Sequence, residues 1–177
     1  EDKVHVNKVV DNAIFIMKPE IERLQLKVHL FTDGELFVQG NAGQISQVVI
    51  NILGNAAKFS PEGCSIEITV DQIQKPSGEN FARIQIEDHG IGIPAEDVDH
   101  LFTRFFRAKN AVSQQFPGTG LGLAIVQEIV THHGGEVYVS SVLGEGTTFA
   151  LEIPTFLEAD HSAIAAAIDP SNTEISQ

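Results

Sequence analysis

One cysteine in 177 residues, Cys64, rules out an internal disulfide and fits a reducing compartment, where it packs at the start of a strand. Basic residues are also scarce. Eleven Lys and Arg stand against 24 Asp and Glu, a formal charge of −13, which argues against nucleic acid or an anionic membrane surface as a general partner. Any anion bound here must be met by a local cluster. No apolar run approaches the roughly 20 residues that span a bilayer, and no secretory signal opens the chain. The expectation is a cytoplasmic segment without direct membrane contact, whose parent can be anchored elsewhere. There is no repeat at periods of about 20 to 50 residues, and no Gly-Lys-Ser/Thr, which removes the P-loop. What is present, 42% hydrophobic and 20% charged residues, fits one domain with a sizeable core, expected to be monomeric in isolation.

The apolar pattern divides that domain into helices and strands. Val9, Val10, Ala13, Ile14, Met17, Ile21 and Leu24 predict a first helix over 7–24, with Asn7 as a cap and a kink at Pro19. Residues 25–31 and 36–39 flank Thr32-Asp-Gly-Glu35 and predict a hairpin or short strand pair. Ile66, Ile68 and Val70 alternate with Glu67, Thr69 and Asp71, and Ile84 and Ile86 with Arg83, Gln85 and Glu87, predicting two strands joined by a loop over 75–80. A helix over 121–133 ends at Gly134-Gly135, and strands over 136–140 and 147–153 form a last hairpin around Leu143-Gly-Glu-Gly146. Strands with one polar side imply a sheet covered on one face, a two-layer α/β sandwich rather than a doubly wound fold. Residues 1–157 form the expected domain. The stretch 158–177, without Lys or Arg, is expected to be a linker or disordered tail in which 163–168 can make only a short helix.

Up to a stop near Ser60-Pro-Glu-Gly63, Ile45, Val48, Val49, Ile52 and Ala56 recur at i, i+3, i+4, i+7 and i+11, one apolar helical stripe. Gln44, Gln47, Asn51, Asn55 and Lys58 form a polar stripe at its edge, about a third of a turn away. Two asparagines one turn apart in mid-helix are not explained by propensity; they either line a cleft or make a helix edge satisfied by water. From His100 to Gln127 this acidic chain has no Asp or Glu, yet contains Arg104, Arg107 and Lys109 before Pro117-Gly-Thr-Gly-Leu-Gly122. A basic window ending in glycines at a helix start suits a polyanion; the other reading is a surface loop. Gly90-Ile-Gly92-Ile-Pro-Ala95 matches a dinucleotide fingerprint, but the acidic residue expected about 20 positions on is missing and Pro94 interrupts the turn. Asp88, just before it, can accept a hydrogen bond from an exocyclic amine or stabilise the turn.

Asn51-x-x-x-Asn55-Ala-Ala-Lys58-Phe59-Ser60-Pro61, Asp88-His-Gly90-Ile-Gly92-Ile93-Pro94, Leu101-Phe102-Thr-Arg-Phe105-Phe106-Arg107 and Gly118-Thr-Gly-Leu-Gly-Leu-Ala-Ile125 resemble, in order, the N, G1, F and G2 boxes of sensor histidine kinases. His133-Gly-Gly135 and Gly144-Glu-Gly146-Thr147 resemble two further family features, so the similarity covers roughly residues 3–155. It implies the Bergerat-type fold, a mixed, mostly antiparallel sheet with about three helices on one face, and an ATP site. Asn55 is then the Mg²⁺ ligand with Asn51 beside it, while Lys58 and Phe59 meet phosphate and ribose or base. Asp88 reads the adenine amine, flanked by Gly90, Gly92 and Ile93. Residues 96–117 form a lid with Phe102 and Phe105 at its base and Phe106 beside Arg107, the γ-phosphate arginine; the motif leaves Arg104 open. Gly118, Thr119, Gly120, Leu121, Gly122 and Leu123 wrap the triphosphate, and Thr147 closes the base pocket. Asn51, Lys58 and Arg107 are the catalytic candidates.

The family's acceptor histidine is followed by an acidic, an aliphatic and a basic residue, and none of the seven histidines here has that context. The resemblance therefore implies transfer of the ATP γ-phosphoryl to a histidine on a separate dimerisation and acceptor domain, with a response regulator downstream. The competing expectations are a hydrolytic ATPase clamp of the same superfamily and a non-catalytic nucleotide-sensing module. Position 51 separates the first two: the hydrolases place a glutamate base there, whereas asparagine cannot deprotonate water.

Overall fold

The computed structural model describes residues 2–156. The expected tail over 158–177 lies outside the described residues. In chain order the elements are β1 (Asp2–His5), α1 (Val6–Arg23), β2 (Lys27–Thr32), β3 (Phe37–Gly40), α2 (Ala42–Phe59), β4 (Ser65–Gln74), β5 (Asn80–Asp88), α3 (Ala95–Val98), α4 (Lys109–Ser113), α5 (Gly122–His132), β6 (Glu136–Val142) and β7 (Gly146–Pro154).

Five strands form one sheet in the order β2-β4-β5-β7-β6, antiparallel except for the β2–β4 pair. The period-two pattern sets which face is dry: Ile66, Ile68 and Val70 pair across to Asp88, Ile86 and Ile84, and the apolar members of both strands are buried. Val10 and Ala13 of α1, Val48, Val49, Ile52 and Leu53 of α2, and Val126 and Val130 of α5 belong to the same buried core. Helices thus cover one face: the two-layer sandwich expected from the alternation forms, with the mixed, mostly antiparallel sheet that the resemblance implied.

Two local expectations are corrected. Residues 25–39 do not form a hairpin: β2 pairs in parallel with β4, aligning Val28 and Leu30 with Ile66 and Ile68, whereas β3 pairs with β1 in a separate two-stranded sheet. The parallel pair is possible because the intervening chain includes α2, a crossover long enough to return in the same direction. Nor does Asn7 cap α1. His5 occupies that position without a side-chain cap, and Asn7 instead donates from Nδ2 to the Gly34 carbonyl (2.9 Å) and accepts from the Leu36 N–H (3.0 Å). The 32–36 turn is thereby fastened to the helix start. Pro19 lies inside α1, which continues to Arg23.

α2 begins on a side-chain cap, the Asn41 carboxamide oxygen accepting from Gln44 N–H at 2.9 Å. It is also fixed against α5 at both ends. Asn51 Nδ2 donates to the Gly122 carbonyl (3.3 Å), and the His133 ring donates from Nδ1 to the Ile129 carbonyl (2.7 Å) while Nε2 accepts the Asn41 N–H (3.1 Å). Packing and polar contacts together hold the asparagine-bearing helix in place.

Candidate nucleotide site

A cavity of about 350 Å³ opens where the end of α2, the loop after β5, the 101–120 segment and the start of α5 converge, within the size range of small-molecule sites. Asn55, Lys58, Phe59, Asp88, Gly92, Ile93, Phe106, Arg107, Gly118, Thr119, Gly120, Gly122, Leu123 and Thr147 line it. The stretches singled out in the sequence are therefore brought together in space. Asn51, Gly90 and Leu121 do not line the cavity. Asn51 faces Gly122 as described. Gly90 is needed behind the wall: a Cβ there would land on the Phe59 carbonyl oxygen and lie 2.9 Å from Asp88 Oδ1, so glycine alone lets this loop close against the end of α2. Leu121 precedes α5, its N–H bonded to Thr119 Oγ1 at 3.3 Å.

Asp88 is only 7% exposed. Its Oδ1 accepts from Gly90 N–H (2.9 Å) and Thr147 N–H (3.3 Å), leaving Oδ2 without a protein donor among the described residues. Burial pushes the carboxyl's pKa up, and the two backbone N–H groups pull it part of the way back. Ser141, which the sequence did not mark, braces this corner. Its Oγ donates to the Gly146 carbonyl (2.9 Å) and takes the Ile93 N–H (2.9 Å), while the Thr147 hydroxyl stands 2.8 Å away.

Lys58 and Arg107 gather on another part of the wall. A Cβ at Gly118 would lie 3.1 Å from Lys58 Nζ and 3.9 Å from Arg107 Nε, so both cations converge on the glycine loop. Neither has a carboxylate partner among the described residues: Lys58 Nζ donates to the Pro117 carbonyl at 2.9 Å, and Arg107 donates to the Phe116 carbonyl. Burial first, and Arg107 second, push the Lys58 pKa down. Phe116 also packs on the Phe59 ring, centroids 5.0 Å apart. Asn55 lines the same cavity with its carboxamide bonded to no other group among the described residues.

The lid base differs from expectation. Phe102 packs edge-on against Phe149, centroids 6.5 Å apart, but Phe105 is 72% exposed with a positive φ of 64° and is tied through its backbone N–H to the Gly120 carbonyl (3.0 Å), not through its ring; Phe106 takes the inward place beside Arg107. Gly120 comes against this backbone, where a Cβ would meet the Phe106 carbonyl oxygen at 2.6 Å. The chain direction at 105 is thus set by a contact across the lid, which periodicity does not encode. Arg104 is exposed and 3.4 Å from Glu128. The cavity also takes in Leu101, Asn110, Ala111, Pro117 and Phe149. Of these, Leu101 opens one of the quoted motifs and Pro117 stands at the head of the glycine run, whereas no local pattern in the sequence marks Asn110, Ala111 or Phe149.

With this fold and these cavity-lining residues in place, the family pattern described as histidine kinase-, DNA gyrase B- and HSP90-like ATPase matches residues 40–156. The chain belongs to that family. The sensor histidine kinase WalK of Bacillus subtilis is 41% identical over 122 residues, 69% of this chain and 20% of that protein. The sensor histidine kinase RppB of Synechocystis sp. is 38% identical over 152 residues, 83% of this chain and 32% of that protein. The chain thus spans a third or less of the length of these two curated relatives. Among solved structures, the catalytic domain of the histidine kinase ThkA superposes with a TM-score of 0.73 at 26% identity, covering 89% of this chain and 98% of that one. The mycobacterial sensor histidine kinase MprB gives 0.70 at 29% identity, covering 87% and 98%.

Proposed function

We propose that this chain is the catalytic domain of a sensor histidine kinase, which binds Mg-ATP and transfers its γ-phosphoryl group to a histidine on a separate dimerisation and acceptor domain, for relay to a response regulator. The observation that carries the reading is the convergence of Lys58 and Arg107 on Gly118 with no carboxylate among the described residues to neutralise them. Two like charges held together in a partly buried wall are unfavourable unless an anion joins them. A triphosphate supplies that anion. The Phe116 and Pro117 carbonyls then give up the two cations, freeing the lid tip to rearrange over the nucleotide.

At the base end, Asp88 Oδ2 is the open acceptor for an exocyclic amine such as adenine N6, and Phe59 offers an aromatic face. Among the described residues no group of three His, Cys, Asp or Glu side chains could hold a metal. The unpartnered carboxamide of Asn55 fits a hard ion held mainly by phosphate oxygens and water. Asn55 would hold Mg²⁺ there, and the ion would supply charge neutralisation for phosphoryl transfer. Lys58 and Arg107 do the same from the protein side, Arg107 acting on the γ-phosphate, while Thr147 and Ser141 keep the base-side carboxylate oriented. Asn51 lies on the same helix face, one turn before Asn55, and ties α2 to α5. Having no carboxylate, it offers no base for water, which favours transfer over a hydrolytic clamp.

Calorimetric titration tests the site. Wild-type protein is expected to bind ATP more tightly with Mg²⁺ than without it, and Asn55→Ala to lose that Mg²⁺-dependent increment; an unchanged increment removes Asn55 from the metal. Arg107→Ala is expected to slow transfer to the acceptor domain more than it weakens ATP binding, whereas equal losses place Arg107 in ground-state binding.

A further inference from the structure

Asp97 is 3% exposed, although it is charged and sits on the four-residue α3. It does not serve its own helix. Its Oδ2 accepts the Lys109 N–H at 2.9 Å, 12 residues along the chain. Lys109 is the first residue of α4, whose own N-cap, Ala108, provides no side-chain cap, so Asp97 caps α4 from another element. One residue further on, Asn110 Nδ2 donates to the Gly92 carbonyl at 2.8 Å, and Ala108 and Ala111 are buried beneath the same segment. The 108–111 stretch is therefore fastened both to α3 and to the loop that follows Asp88. Arg107 immediately precedes it. Among the described residues the guanidinium itself has only the Phe116 carbonyl as a hydrogen-bond partner, so its reach is governed by where the backbone after it is held.

We propose that Asp97 is a positioning residue which, by holding the Lys109 N–H, sets the register of Arg107 toward the terminal phosphate, while the neighbouring Asn110 makes the separate tie to the base-side loop. This rests on the Mg-ATP reading above. Asp97 touches no nucleotide in this scheme. It acts on selectivity: a correctly placed Arg107 gains its interaction from the γ-phosphate, which ATP has and ADP lacks. Displacing it by about 1 Å removes that gain while leaving the base, ribose and inner phosphates bound.

The test is the ratio of ADP to ATP dissociation constants, measured in Mg²⁺ on the full chain. Wild type is expected to prefer ATP, and Asp97→Ala to lose about tenfold of that preference with ADP affinity little changed. Asp97→Asn keeps an oxygen acceptor for the N–H and is expected to restore the preference. A second variant reaches the same bond from its other end. Lys109→Pro removes the N–H at the first position of α4, where proline is favourable, and Ala108 already has the extended conformation that a following proline requires, φ −58° and ψ 142°. It is expected to match Asp97→Ala while leaving the carboxylate in place. A purely structural role would weaken ATP and ADP alike, so an unchanged ratio in Asp97→Ala and Lys109→Pro overturns the proposal. Wild-type protein that binds both nucleotides equally overturns the γ-phosphate role of Arg107 and this proposal with it; wild-type protein that binds neither overturns the nucleotide reading itself.

Discussion

At the residue scale, Asp88 is a buried carboxylate, and it is the group proposed above to accept from the adenine amine. Its folded-state pKa lies above that of an unfolded chain, chiefly because of burial. The free protein therefore gains stability as pH falls through that raised value, since the buried charge is neutralised. Affinity for an adenine nucleotide moves the other way, because the carboxylate is the better acceptor for the amine. ATP affinity should thus decline on the acid side beginning above the ordinary aspartate range, and titrations across that range measure it. Asp88→Asn still offers Oδ1 to Gly90 and Thr147 but turns an N–H₂ toward the amine. It is expected to weaken ATP binding by about 1–3 kcal/mol, the cost of an unmatched buried polar group, and to abolish the acid limb. A variant with wild-type affinity would detach Asp88 from the base.

At the element scale, the α2–α5 pair is the frame on which the site hangs. A Cβ at Gly40 would fall on the His133 ring, which joins the last turn of α5 to the N-cap of α2. Gly40→Ala is expected to displace the ring and cost about 1–3 kcal/mol, read as a lower urea midpoint with an unchanged m value. His133→Ala added to it relieves the clash, so the pair should be less damaging than the sum of the two singles; strict additivity would contradict the contact. The frame was largely legible beforehand, since the two stripes of α2 and the alternation of β4, β5 and β7 are local patterns that burial preserved. Pairings set over long distance were not. Lys27–Thr32 and Phe37–Gly40 look like neighbours in sequence, yet enter different sheets because their partners are β4 and β1. Ser141 and Asn110 gave little or no signal because their partners, Ile93 and Gly92, lie 48 and 18 residues away. Adjacent Phe105 and Phe106 are alike in composition and motif, and only the approach of Gly120 decides which turns inward.

At the scale of the whole molecule, the described part places the quoted motifs around a cavity of about 350 Å³, and no helix among the described residues is long and apolar enough to cross a membrane. A kinase reading then requires a partner surface bearing the phosphate acceptor, because none of the seven histidines has the acceptor context. The chain alone is expected to bind Mg-ATP without becoming labelled. Labelling therefore belongs to the mixture. The most direct test incubates this chain with the acceptor domain of its own parent kinase and ATP carrying a labelled γ-phosphate. The account predicts label on the acceptor domain, stable to base and lost in acid as expected for phosphohistidine, and strongly reduced with Arg107→Ala. Tight Mg-ATP binding with no transfer to that domain, or release of inorganic phosphate in place of transfer, would contradict it.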